Sequence, residues 1–146
     1  MNESIGKLTA AIHRNLQIIL NRKLKDISIR SGQHDFFYVI SRNEGITQKE
    51  LSEWLYISKS TTAKAVKNLM DYGYVRKEKD TEDNRYDRLY LTEKGKQITA
   101  QMQETFLEVV DITTRNLSPS EVEQTKELLK RILNNVLEEN RNEESN

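Results

Sequence analysis

Between Ser58 and Asn68 the chain places Ser58, Lys59, Ser60, Thr61, Lys64, Lys67 and Asn68, and no acidic residue falls between Ser58 and Met70. Hydroxyls, ammonium groups and a carboxamide at helical spacing put many hydrogen-bond donors on one surface. That is the chemistry of contacts to phosphates and to base edges. Val66 and Leu69 set the buried face of such a helix, which turns Lys59, Ser60, Thr61, Lys64, Lys67 and Asn68 outward. An ordinary solvated helix face is the competing reading. A second group is Asp83-Asn84-Arg85. An Asp two residues before an Arg can hold the guanidinium extended, and an arginine so held suits the negative potential of a minor groove. A purely structural Asp83–Arg85 pair is compatible with that role.

Other chemistry is sparse. With no cysteine in the sequence, disulfides, thiolate zinc sites, iron–sulfur clusters and thiol-based peroxide sensing are excluded. There is no glycine-rich phosphate loop, nucleophile elbow or metal-ligand motif, so no catalytic residue, cofactor or metal is expected. His13 and His34 fall in separate helices without a carboxylate cluster, which does not make a zinc site. His34, followed by Asp35, reads as a structural hydrogen-bonding group. Trp54, Tyr56, Phe36 and Phe37 could line an aromatic pocket, but helical spacing assigns them to the core first. No effector-binding residue can be named.

The elements that must hold these groups follow from periodicity. Ile5, Leu8, Ile12, Leu16, Ile19, Leu20, Leu24 and Ile27 recur at three- and four-residue steps, predicting one long first helix with a broad apolar stripe. After a break at Ser31-Gly32 comes a second helix carrying Phe36, Phe37, Val39 and Ile40. Thr47-Gln48-Lys49-Glu50 is a capping box, starting a short helix that buries Leu51 and Leu55. Thr47 at its N-terminus is a candidate contact to a DNA backbone. Tyr56-Ile57 turns the chain, and Ser58 caps the donor-rich helix, which Gly73 ends. The period then changes to two short strands, Tyr74 to Lys77 and Arg88 to Leu91, joined by a polar tip. Thr92 can cap a helix reaching about Asn116, with Ile98, Met102, Phe106, Val109 and Val110 on its apolar side. Ser118-Pro119-Ser120-Glu121 starts the last helix, whose stripe is Val122, Leu129, Ile132, Leu133, Val136 and Leu137. Residues 140–146 hold no apolar side chain and read as a frayed, disordered tail.

A capped helix, a three-residue turn, a second helix and a two-stranded ribbon make a winged helix-turn-helix. A major groove about 12 Å wide admits one helix, and a partner helix must brace it. The fold expected is therefore mainly α with a small two-stranded β-wing. Residues 31–95 form the DNA-binding domain, residues 1–30 and 96–139 a dimerisation region, and 140–146 a tail.

Composition sets the remaining bounds. Leu, Ile, Val and Phe make up about a quarter of 146 residues, 32% are charged, and one proline occurs. That is enough apolar material for a packed domain. No apolar stretch is long enough to cross a membrane and no signal peptide is recognisable, so a soluble cytoplasmic protein without a membrane partner is expected. The net charge is zero, which argues against a generic polyanion binder. Residues 58–90 nevertheless carry a net +2 and residues 118–146 a net −3.

From Leu55 to Gly95 the sequence resembles the MarR-type winged-helix transcriptional regulators. The stretches that carry the resemblance are Leu-Tyr-Ile-Ser-Lys-Ser-Thr-Thr, Leu-Met-Asp-Tyr-Gly-Tyr-Val-Arg, Asp-Asn-Arg and Leu-Tyr-Leu-Thr-Glu-Lys-Gly. The family's hairpin signature, Asp-x-Arg and then Leu-Thr-x-x-Gly, is met by Asp83, Arg85, Leu91, Thr92 and Gly95. The resemblance spans the whole chain. It implies a homodimer whose first and last two helices intertwine, an inverted-repeat operator in double-stranded DNA, repression, and release by a small phenolic or other aromatic effector. Two departures stand out. The wing carries Asp80, Glu82, Asp83 and Asp87, and Tyr86 replaces a second basic residue often found there; modest wing affinity is therefore expected. A winged-helix protein-interaction module without a DNA partner is the alternative, favoured by the zero net charge and the acidic wing.

Overall fold

The computed structural model describes residues 2–145. The order of elements is α1 (Ile5–Lys23), α2 (His34–Arg42), α3 (Gln48–Leu55), α4 (Lys59–Asp71), β1 (Val75–Lys79), β2 (Asp87–Leu91), α5 (Glu93–Thr114) and α6 (Pro119–Ser145). The chain divides into two compact units, one ending at Leu107 and the other beginning at Glu108. The division falls inside α5.

Local signals set most of the boundaries in the first unit. Ser4 caps α1 by accepting from the Lys7 N–H. Around Thr47 the capping box forms in full: Thr47 Oγ1 accepts from the Glu50 N–H at 3.2 Å, and Glu50 Oε1 accepts from the Thr47 N–H at 3.3 Å. Ser58 accepts from the Thr61 N–H at 3.2 Å to start α4. Gly73, at φ +87°, ends α4. There the Gly73 N–H donates to Met70 O and the Tyr74 N–H to Leu69 O, a left-handed closure that a side chain would strain.

β1 and β2 pair antiparallel from Val75↔Leu91 to Lys79↔Asp87, extending nearer the tip than the alternating residues alone suggest. The segment before α3 adds a third edge that the sequence does not announce. Gly45 donates to Leu89 O at 2.8 Å, Leu89 donates to Ile46 O at 2.9 Å, and Thr47 bridges Arg88. Ile46 is its one apolar residue, too few to show alternation.

The core of this unit is Leu24, Phe36, Phe37, Ile40, Leu51, Val66, Leu69, Leu89, Leu91 and Met102, all nearly or fully excluded from water. Phe37 meets Tyr74 edge-on at 6.0 Å, and Tyr38 stacks on Phe106 at 4.4 Å. One expected boundary moves. The first helix stops at Lys23 rather than running through Ile27, and Leu24, Ile27 and Ile29 are buried from a turn and an extended stretch. Ile27 and Ile29 alternate with exposed Ser28 and Arg30. That is a period of two, which a helical reading of Leu24 and Ile27 alone conceals.

In the second unit, Ser118 and Glu121 form a reciprocal cap, Ser118 N–H to Glu121 Oε1 at 2.8 Å and Glu121 N–H to Ser118 Oγ at 3.1 Å. Pro119 sits at the first helical position, as its missing N–H favours. The helix continues through the segment expected to be a frayed tail, as far as Ser145. Glu138, Glu139, Arg141 and Glu143 are good helix formers, and neither Gly nor Pro stops them. Asn146, the end of that expected tail, lies outside the described residues.

Candidate nucleic-acid interface

Three residues, Tyr56 to Ser58, separate α3 from α4. Tyr56 adopts the left-handed conformation at φ 57°, and its N–H reaches Glu53 O while the Ile57 N–H reaches Ser52 O. That closure turns the chain sharply enough for Ser58 to cap α4 at once. Leu51 of α3 and Thr62, Ala65, Val66 and Leu69 of α4 are buried, so the two helices form one packed pair.

Burial of those four α4 residues fixes the rest of the helix wheel. At about 100° per residue, Ser60, Lys64 and Lys67 lie roughly opposite the core, with Thr61 and Asn68 toward one flank and Lys59 toward the other. Lys59, Ser60, Thr61, Lys64 and Lys67 are exposed. Among the described residues Lys59 and Lys64 pair with no carboxylate, whereas Lys67 meets Asp71 at 2.9 Å. The outward face is thus least encumbered in its N-terminal half. Asn68 differs from the expectation: it is half-buried, and its Nδ2 donates to Gln33 Oε1 at 3.3 Å. Its position beside the core, rather than opposite it, explains the difference. Ser58 is occupied as a cap, its hydroxyl also donating to Thr61 Oγ1 at 2.9 Å.

The wing pair forms as the spacing predicts. Arg85 Nε donates to Asp83 Oδ1 at 3.0 Å, and its terminal nitrogen donates to Oδ2 at 2.7 Å. The Arg85 N–H also reaches Oδ1 at 3.1 Å. Hydrogen bonding to Arg85 holds the Asp83 carboxyl below its usual range and raises the guanidinium above its own. The Arg85 side chain remains 80% exposed, so the donor edge not facing Asp83 points to solvent. An open cleft of about 190 Å³ separates the wing from the first turn of α3, lined among others by Thr47, Lys49, Lys77, Arg85 and Tyr86.

Several residues lie where the sequence does not predict them. Phe36 and Phe37 are core, but Trp54 is 69% and Tyr56 52% exposed, so the four do not line one aromatic pocket. The buried side of α3 is set by Leu51 and Ser52, and Trp54 points well away from it. His34 is buried, and its Nδ1 has no hydrogen-bond partner among the described residues, unlike the structural hydrogen-bonding group expected there. Desolvation pushes its pKa down and pushes that of neighbouring Asp35 up. No three His, Asp or Glu side chains converge as a metal-ligand set among the described residues, and no helix among them is long and apolar enough to cross a membrane. Arg88 is a residue that spacing gave no reason to single out. Its guanidinium joins the wing to the turn before α3.

The sequence profile of the MarR family matches residues 25–85. A MarR transcriptional regulator from Methanosarcina mazei Go1 is 34% identical, with 92% of this chain and 96% of that chain aligned at a TM-score of 0.75. The chain belongs to the MarR family. Members of that family are transcriptional regulators, not enzymes. Another relative is the uncharacterized HTH-type transcriptional regulator YybA of Bacillus subtilis (strain 168), 28% identical over 93% of this chain and 90% of its own length. A putative MarR family transcriptional regulator from Listeria monocytogenes, solved in complex with 26mer DNA, superposes at a TM-score of 0.83 with 25% identity, over 94% of this chain and 92% of that one.

Within the MarR-family hairpin signature, the structure separates two kinds of residue. Thr92 Oγ1 accepts from the Gly95 N–H at 3.0 Å to cap α5. A Cβ on Gly95 would lie 2.2 Å from the Tyr74 carbonyl oxygen. These two are structural, whereas Arg85 faces solvent and Asp83, its side chain only 30% exposed, holds it.

Proposed function

We propose that this MarR-family chain is a sequence-specific transcriptional regulator that binds double-stranded DNA as a homodimer, with Ser60 and Lys64 at the centre of the contact. The observation that carries this reading is the outward face of α4: exposed Lys59, Ser60, Thr61 and Lys64, with both lysines unpaired among the described residues. In helix-turn-helix complexes the N-terminal half of the second helix meets the base edges, and that is the unencumbered half here. The DNA-bound Listeria monocytogenes relative supports the same reading. In the proposed complex Ser58, Lys67, Asn68, Asp83 and Arg85 complete the contact, Thr47 meets the backbone, and α3 braces α4.

Dimerisation through residues 1–30 and 96–139 is supported by apolar side chains that stay in water. Ile5, Leu8, Ile12 and Ile18 of α1 are 44–59% exposed, as are Leu107 and Val110 of α5 and Leu128, Leu129 and Val136 of α6, at 46–58%. A two-fold dimer presents two copies of α4, so the operator is pseudo-palindromic, with half-sites about 34–36 Å apart. Repression by promoter occlusion in the cytoplasm, and release by a small phenolic or other aromatic effector, complete the proposal; they rest on the family.

Selection of the full-length protein against a random duplex pool at near-physiological salt tests the proposal. Enrichment of an inverted repeat with half-sites one helical turn apart is the expected result. A folded dimer that enriches nothing would overturn it. The weight would then pass to a protein-interaction module, which exposed Trp54 beside Glu50 and Glu53 favours, since carboxylates repel phosphate.

A further inference from the structure

A two-stranded ribbon is marginally stable by itself, so something must hold the wing tip in place for Arg85 to act. The ion pairs Arg76–Glu78 and Lys79–Asp87 stay within the ribbon. Glu44 Oε1 accepts from the Leu91 N–H at 2.8 Å, at the end of β2 farthest from the tip. Arg88 reaches nearer to the tip. Its Nη1 donates to Gly45 O at 2.8 Å, and its Nη2 donates to Asp80 Oδ2 at 3.3 Å. Its backbone bridges Thr47. Asp80 opens the tip loop, and its N–H closes that loop on Tyr86 O at 2.9 Å. One half-buried guanidinium therefore links β2, the base of the tip loop and the turn that leads into α3.

We propose that Arg88 is a positioning residue: it fixes the wing tip relative to the helix-turn-helix, and so makes the Arg85 contact with DNA effective. The inference deepens the DNA-binding reading and rests on it. The planar fork is essential to the argument, because it satisfies two acceptors in fixed directions. A lysine at this position keeps the charge but is a flexible point donor that cannot hold both. Long-range attraction to phosphate is thus the same for arginine and lysine, and geometry alone differs.

The test uses full-length protein with Arg88→Lys, Arg85→Ala and both together, plus Lys64→Ala alone and with Arg88→Lys, titrated on the selected duplex. Arg88→Lys should weaken binding about fivefold. Arg85→Ala should weaken it about tenfold in the parent but less than about twofold beside Arg88→Lys, since coupled residues are non-additive. Lys64→Ala should cost the same factor in both backgrounds, which a general loss of structure would not give selectively. In the free protein, amide exchange over residues 80–86 should quicken about tenfold in Arg88→Lys, with Leu51 and Leu69 unchanged. Asp80→Ala, which removes the acceptor at the other end of the fork, should loosen the same amides. An equal Arg85→Ala factor in both backgrounds, or unchanged tip amides in both variants, would overturn the proposal. If the parent binds no duplex, the DNA reading fails by itself, and the amide arm still decides whether Arg88 fixes the tip.

Discussion

Lys64 and Lys67 stand one turn apart on the same face of α4, yet their surroundings differ. Lys67 shares its charge with Asp71 at 2.9 Å, while Lys64 meets no carboxylate among the described residues. In the proposed complex, Lys64→Ala should reduce preference for the selected duplex over random duplex by about ten- to a hundredfold, the value of one base contact. Arg85→Ala should weaken both duplexes alike and reduce the salt slope by about one or less, because Asp83 already neutralises part of that charge. Anisotropy titrations at several salt concentrations separate the two. An equal loss on both duplexes for Lys64→Ala would remove its base-reading role. At the same scale, buried His34 makes stability depend on pH. Its folded pKa lies below the ordinary 6.5, so below that pH the unfolded chain takes up a proton that the native fold refuses. Stability should fall between pH 7 and 5.5, by at most about 1.4 kcal/mol per unit. His34→Gln should flatten the thermal melts over that range. Asp35 acts with the opposite sign, because burial raises its carboxyl above the ordinary 3.8, so the His34→Gln comparison isolates the histidine's share.

The elements owe their boundaries to short-range chemistry, and that is why the sequence displays them. Thr47, Ser58, Thr92 and Ser118 each satisfy backbone donors within three residues, so each can be read from four letters. The Gly45–Thr47 edge pairs with Leu89 and Arg88 more than forty positions away, and nothing local encodes such pairing. Asn68 illustrates the same limit within the site: its partner Gln33 is 35 residues distant. The wing pair was legible because Asp83 and Arg85 are two residues apart, whereas Arg88 reaches Gly45 across 43. Gly95 shows how a close approach fixes the joint between elements. With Tyr74 O only 2.2 Å from a would-be Cβ, Gly95→Ala must push backbone against backbone. A loss of about 1–3 kcal/mol is expected by urea denaturation, despite the better helix propensity of alanine.

On the scale of the molecule, apolar surface is distributed unevenly. None of the described α6 side chains is buried, although Leu128, Leu129 and Val136 alone leave about half of their surface in water. In the proposed dimer this surface is covered by the second copy. Leu129→Glu with Val136→Glu should therefore convert dimer to monomer in sedimentation and lower the melting temperature by the lost linkage to dimerisation, while the monomer keeps slow amide exchange at Leu51 and Leu69. Affinity for the full inverted repeat should drop about a hundredfold or more, toward that of a half-site, because two linked contacts bind far more tightly than one. A dimer that survives both charges would place the interface elsewhere.

The chain has a single tryptophan, and it stands 69% exposed on α3 rather than in the core. Its indole already emits from a watery environment in the native fold, so unfolding should scarcely shift the emission maximum. Conventional fluorescence melts would make this protein look featureless. Collisional quenching by iodide would instead read the outer surface of the bracing helix, and a fall in quenching would footprint whatever docks there.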